Sequence, residues 1–164
     1  MKAPFQVKGW SCIADAFASA LGIPVANLID KIGHTESHGF HVQECIEVAV
    51  NLGFACTPIE LVPQALLTPT SQPRAVWFPQ YKLSSDLSLD WGDKSGNVLR
   101  LYTHMRGNEG VLTGQVTSGI GHAVNWHNNE IWDTRERGFA YKFGECDANG
   151  FHPQCFWKVQ KVPT

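Results

Sequence analysis

Apolar residues in the first third of the chain recur every three or four positions, the spacing of one face of an α-helix. Stretches of this kind cover residues 11–22, 24–33 and 42–53. Each ends at a glycine, which readily takes the left-handed conformation found after helix C-termini. Ser11 is a suitable N-cap for the first stretch, and Pro24 suits the first turn of the second. The pattern therefore predicts three short N-terminal helices.

From residue 54 onwards, short runs rich in β-branched and aromatic residues replace the helical spacing. The predicted strands are 54–59, 75–78, 110–116, 122–127, 130–133, 139–143 and 156–162. Segments 69–73 and 84–96 are dense in Ser, Asp, Pro and Gly and are predicted as surface loops. Segment 97–105 fits a helix or a strand. Helices followed by antiparallel strands predict an α+β fold, N-terminal helices packed on a C-terminal antiparallel sheet, in a single domain over residues 1–164.

Composition and charge argue against some classes of binding partner. The chain has 164 residues, 43% hydrophobic and 17% charged, with a formal net charge of −2. These values are ordinary for a globular protein with a sizeable core. No run of Lys or Arg occurs, and no apolar stretch approaches the roughly 18 residues of a membrane span. Neither a nucleic acid nor a membrane is therefore expected as a partner.

Cysteine usage indicates the compartment. Five cysteines are present, an odd number, and no two have CxxC spacing. The N-terminus also lacks an apolar segment of signal-peptide length. Neither a disulfide framework nor a zinc ribbon is expected, and a reducing cytoplasm is the expected location.

Cys12 stands at the start of the first predicted helix. If Ser11 is the cap, backbone N–H groups and the positive end of the helix dipole face the Cys12 sulfur and favour the thiolate. Taken alone, such a cysteine is as easily a small buried hydrophobic residue. The positions of Gln6, His122 and Asp133 relative to Cys12 favour the interpretation of Cys12 as a nucleophile.

Gln6 precedes Cys12 by six residues. Its side-chain amide could donate to a carbonyl oxygen that becomes negatively charged during attack by Cys12. The second donor would be the backbone N–H of Cys12. Loss of one such donor typically costs about 100- to 1000-fold in rate.

The segment 121–133 has the pattern of a β-hairpin whose turn is Asn128-Asn129, since Asn tolerates positive φ. Pairing symmetric about this turn sets Val124 opposite Asp133. Because strand side chains alternate, His122 and Asp133 then share one face as diagonal neighbours. The carboxylate could hold the imidazole in the tautomer that accepts a proton from Cys12.

A one-residue bulge would turn Asp133 to the other face of the hairpin. Asn125 and Asn129 would then be the reserve candidates for orienting His122.

A second cluster, His34, His38, His41 and Cys45, raises a zinc hypothesis. His41 and Cys45 would share a helix face if the helix already included His41. The cluster has neither a HExxH motif nor paired CxxC ligands. A polar loop leading into an amphipathic helix explains these residues, and no metal site is predicted.

These motifs together resemble the papain-like cysteine peptidase superfamily. The chain is most similar to the compact branch that includes the bacteriocin-processing peptidases and their stand-alone relatives. The glutamine that stabilises the oxyanion, the nucleophile, the base and the orienting residue of that family would correspond to Gln6, Cys12, His122 and Asp133. The processing peptidases carry Asp before and Gly after the cysteine, whereas this chain has Ser11 and Ile13, so their substrate specificity is not carried over.

The resemblance implies a papain-like thiol hydrolase that cleaves an amide bond, most simply in a peptide or protein substrate, without a cofactor. Trp10, Trp126 and Trp132 are expected to shape the cleft and contact substrate. Segment 121–133 also resembles papain-fold toxin domains that deamidate glutamine, so deamidation or acyl transfer remains an alternative. A non-catalytic papain-fold binding or inhibitor protein and a zinc-stabilised interaction module are the alternatives outside enzymes.

Overall fold

The computed structural model describes residues 11–34, 39–60, 82–83, 89–90, 103–133, 139–146 and 148–163. Within these ranges the helices are α1 (Cys12–Leu21), α2 (Val25–Ile32) and α3 (Val42–Asn51). Residues 103–105 form one further helical turn, and Phe143–Glu145 form a 3₁₀ turn. The strands are β1 (Phe54–Glu60), β2 (Lys82–Leu83), β3 (Leu89–Asp90), β4 (Gly110–Val116), β5 (Gly121–His127), β6 (Glu130–Asp133), β7 (Phe139–Tyr141) and β8 (Phe151–Lys161).

The three predicted helices and their glycine stops are confirmed. Gly22 and Gly33 follow α1 and α2 with φ of 71° and 90°, in the left-handed region that favours glycine. No single helix in the described ranges is long and apolar enough to cross a membrane. The pair α1 and α2 passes that test only jointly, and a bend of 111° separates the two.

Six strands form one antiparallel sheet in the order β1-β8-β4-β5-β6-β7. Helix α1 packs against β4 and β5, and α2 and α3 pack against α1. The predicted α+β fold, with N-terminal helices on an antiparallel sheet, is therefore confirmed. Predicted strand 75–78 lies outside the described residues, and β3 occupies part of the segment predicted as a loop, where it pairs with β2.

Apolar side chains are buried on both faces of the sheet. On the helix face, Phe17, Leu28 and Cys45 pack with Val111, Ala123 and other strand residues. On the opposite face, Met105 and Phe151 pack with Val124, Trp126 and their neighbours. Strand β5 is consequently buried almost throughout, and its residues alternate between the two layers.

Strand β8 begins five residues earlier than predicted, because Pro153 interrupts the sequence signal of a strand. Pro153 pairs with Gly114 at a register shift on β4 that leaves Gln154 as an extra residue. A Cβ atom on Gly114 would lie 2.1 Å from the carbonyl oxygen of His152, so glycine is required there. Gly114 is also the cross-strand partner of His122, so this irregularity borders the candidate site.

Candidate active site

The β5–β6 hairpin turns at Asn128 and Asn129, whose φ angles are 51° and 60°. Two consecutive positive φ angles characterise the tight turns that match the twist of a hairpin. Val124 pairs with Asp133, the register that the symmetric turn predicts, and no bulge interrupts β5 and β6. His122 and Asp133 consequently lie on the same face of the sheet.

His122 and Asp133 form a buried hydrogen bond. The distance from His122 Nε2 to Asp133 Oδ1 is 2.9 Å. The exposed fraction is 7% for His122 and 0% for Asp133. Because an ionised carboxylate can only accept, Nε2–H is the donor. This bond holds the imidazole ring and directs Nδ1 away from Asp133.

Cys12 is the first residue of α1 and is partly exposed. Its side chain lies close enough to His122 to contribute to the raised pKa of that histidine. With Nε2 bound to Asp133, the ring nitrogen left for the thiol is Nδ1. The structure thus brings together Cys12, His122 and Asp133 from α1, β5 and β6.

The electrostatics of His122 favour its protonated form. Burial acts to lower the pKa of His122, but the hydrogen bond that His122 donates to Asp133, the charge of Asp133 and the neighbouring Cys12 side chain outweigh it, so the pKa is raised. A buried imidazole held by a carboxylate and close to a thiol is an arrangement that suits acid–base chemistry.

Phe151 limits the access of water to the histidine. Its ring meets that of His122 edge-on, with centroids 5.8 Å apart, and is fully buried. A dry surrounding strengthens the His122–Asp133 interaction relative to the same pair in water.

The other cysteines lie in apolar surroundings. Burial raises the pKa of the Cys45 thiol to about 12, and burial also raises the pKa of Cys56. Cys146 and Cys155 are buried. Cys12 therefore differs from them in combining partial exposure with a histidine partner.

Ser11 occupies the predicted N-cap position but does not cap α1 with its side chain. Its hydroxyl donates instead to Asp15 Oδ2 at 2.8 Å, and both residues are buried. The predicted N-cap position of Ser11 is therefore confirmed, and its hydroxyl bonds to a buried carboxylate one turn later. The spacing of four residues between Ser11 and Asp15 was the signal for this contact.

The tryptophan predictions have different outcomes. Trp126 is 0% exposed, and its Nε1–H donates to the Met105 carbonyl oxygen at 2.9 Å. Such a side chain cannot touch a substrate, so the predicted substrate contact of Trp126 is wrong, and its part in shaping the cleft stays a prediction. Trp132 is partly exposed and lies on the sheet face opposite to Asp133, and its role stays a prediction. Gln6 and Trp10 lie outside the described residues.

Neither reserve candidate orients His122. The amide of Asn125 donates to the carbonyl oxygens of Ala16 and Gly110 on the helix side of β5. The side chain of Asn129 accepts a hydrogen bond from the backbone N–H of Gly107.

The structure describes three of the four residues of the zinc hypothesis, His34, His41 and Cys45. His41 precedes α3 as its N-cap, whereas Cys45 is buried in the core. His34 is hydrogen-bonded to Glu44, and His38 lies outside the described residues. No group of three His, Cys, Asp or Glu side chains in the described part of the chain is placed to hold a metal ion.

Tyr141 contacts the site but was not singled out from the sequence. Its hydroxyl donates to Asp133 Oδ2 at 3.3 Å. The predicted strand 139–143 could have indicated this contact, because the alternation of strand side chains can place residue 141 on the same sheet face as Asp133. The pairing of that strand with β6 was needed to bring the two together.

Of three comparisons with known proteins, the comparison with solved structures gave matches. No protein-family model matches the sequence, and no curated protein does. A double glycine motif protease from an AMS/PCAT transporter, solved with its leader peptide, is 13% identical, with a TM-score of 0.48 over 97% of this chain and 93% of that one. The peptidase domain of Streptococcus ComA, a bifunctional ABC transporter of a quorum-sensing pathway, is 14% identical, with a TM-score of 0.49 over 99% and 98%.

Proposed function

We propose that this protein is a thiol-dependent hydrolase of amide bonds, with a peptide bond as the favoured substrate. Cys12 is the nucleophile, His122 the base and Asp133 the residue that orients the base. One observation carries the proposal: the fully buried carboxylate of Asp133 holds the His122 ring, and the partly exposed thiol of Cys12 is close enough to that ring to raise its pKa. The free thiols suit a reducing compartment such as the cytoplasm.

In the first half of the reaction, Nδ1 of His122 takes the thiol proton and the Cys12 sulfur attacks the carbonyl carbon. The carbonyl oxygen becomes an oxyanion. As the first residue of α1, Cys12 has a backbone N–H without an intrahelical acceptor, and this group can donate to the oxyanion. The amide of Gln6 is proposed as the second donor.

The imidazolium of His122 then gives its proton to the leaving nitrogen, the carbon–nitrogen bond breaks and a thioester with Cys12 remains. Asp133 stabilises the imidazolium throughout this step. In the second half, His122 takes a proton from water, whose oxygen attacks the thioester. The carboxylic acid leaves, and the proton returns to the sulfur.

Selective labelling of cysteines tests whether Cys12 is activated. With a limiting amount of iodoacetamide between pH 5 and 9, Cys12 should react before the other four cysteines and already below pH 8. Cys56 is the internal control, because it is also partly exposed but has a pKa raised by burial. His122→Ala should abolish the preference for Cys12. Equal labelling of Cys12 and Cys56 in the wild type contradicts the proposal.

Turnover tests the reaction itself. Peptide cleavage should fall at least about 1000-fold in Cys12→Ala, as expected for loss of a nucleophile, and Cys56→Ala should remain active. Ammonia release from glutamine-containing proteins, without chain cleavage, would instead assign deamidation. An activated Cys12 that turns over neither substrate class would indicate a binding protein.

A further inference from the structure

Tyr141 ends β7, the strand at the end of the sheet next to β6. It pairs with Ile131, two residues from Asp133, so Tyr141 and Asp133 are diagonal neighbours on one face. The Tyr141 ring is 5% exposed and packs in the cluster that contains Ile131 and Trp126. Packing therefore restrains the Tyr141 ring independently of the hydrogen bond that its hydroxyl donates.

The two carboxylate oxygens of Asp133 have different partners. Oδ1 accepts from His122 Nε2 at 2.9 Å, and Oδ2 accepts from the Tyr141 hydroxyl at 3.3 Å. A carboxylate held at one oxygen can still rotate about its Cβ–Cγ bond, whereas contacts at both oxygens restrain that rotation. Hydrogen bonds run from Tyr141 on β7 through Asp133 on β6 to His122 on β5, the residue proposed as the base for Cys12.

We propose that Tyr141 is a positioning residue of this site, which holds the Asp133 carboxylate so that Oδ1 stays directed at His122. This inference rests on the proposed function. Tyr141 touches neither Cys12 nor a substrate in this scheme; it acts through Asp133. A precisely held base contributes to rate through orientation, and small displacements of such groups lower the rate strongly.

Tyr141→Phe tests the role, because it keeps the ring and removes only the hydroxyl. Loss of a hydrogen bond to a charged group should lower kcat about 10-fold or more and leave KM unchanged. The Nε2 proton of His122, followed by NMR as a low-field resonance, should move upfield or broaden through exchange with water. Phe143→Leu is the matched control, since Phe143 packs against the same cluster and the variant keeps the hydroxyl.

The control should lose stability but retain the wild-type kcat and the His122 proton resonance. If Tyr141→Phe retains both as well, while wild-type Cys12 shows His122-dependent labelling, the positioning role is wrong and the proposed function stands. If wild-type Cys12 shows no His122-dependent labelling, the proposed function fails and the role of Tyr141 fails with it.

Discussion

At the scale of single residues, the site depends on one fully buried carboxylate. Burial of an ionised group is costly unless hydrogen bonds compensate for the lost water. Asp133 receives such bonds from His122 and Tyr141. The same pairing explains why the pKa of His122 is raised although the ring is buried: burial opposes protonation, and Asp133 more than offsets this with help from Cys12.

Asp133→Asn should therefore lower the pKa of His122 below its wild-type value. The Asn amide has nearly the same shape as the carboxylate but no charge, so the lowering of the His122 pKa by burial is offset less. NMR titration of the His122 ring protons measures the change. Asp30→Asn, which makes the same substitution at an exposed position on α2, is the control and should leave the His122 titration unchanged. An unchanged titration in Asp133→Asn would contradict the assigned cause.

At the scale of elements, the helix that carries Cys12 must be held against the strand that carries His122. Asn125 on β5 does this with its amide nitrogen, which lies 3.3 Å from the Ala16 carbonyl oxygen of α1 and 3.1 Å from that of Gly110 on β4. Its Oδ1 is buried and has no hydrogen-bond partner among the described residues. Rotating the amide would set Oδ1 against two carbonyl oxygens, so the observed orientation is dictated by its neighbours.

Asn125→Asp should accordingly destabilise the fold by about 3–5 kcal/mol, the range for an uncompensated buried charge. The variant directs a carboxylate oxygen at two carbonyl oxygens, whichever way the side chain turns. Urea unfolding measures the loss. Asn129→Asp changes an exposed turn residue and should stay within about 0.5 kcal/mol of the wild type. Similar stabilities of the two variants would show that Asn125 does not tie α1 to β5.

At the scale of the whole molecule, the raised pKa of His122 links its protonation to folding. Over the pH range between the unfolded and folded pKa values, the folded chain binds more protons at this residue than the unfolded chain. The contribution of His122 to stability is thus fully present below the unfolded value of about 6.5 and is lost as pH rises through the raised folded value.

The free energy of unfolding should consequently fall more steeply with rising pH, from about 6.5 upward, in the wild type than in His122→Gln. Urea unfolding at half-unit intervals from pH 5 to 9 measures both curves. Asp133→Asn should also make the free energy of unfolding fall less steeply with pH than in the wild type, because it removes one cause of the raised pKa of His122. Parallel curves for the wild type and His122→Gln would overturn this linkage.

Local chemistry explains which predictions succeeded. The helix stops depend on glycine at positive φ, and the hairpin register depends on two asparagines and the alternation of strand side chains. The start of β8 was missed because a tertiary contact overrode local propensity. Pro153 is accommodated in β8 opposite Gly114, at a register shift that no local signal indicates.

The sequence by itself determined the helices, the β5–β6 hairpin and the common face of His122 and Asp133, because these follow from the conformations of neighbouring residues. Tertiary structure alone decided that Cys12 lies near His122. Cys12 packs with the helix-side core, whereas His122 shares a sheet face with Val124 in the opposite layer. Tertiary structure also decided that Trp126 is buried and that Tyr141 reaches Asp133. These contacts depend on the order of strands in the sheet and on how α1 packs across it, which no spacing within the sequence encodes.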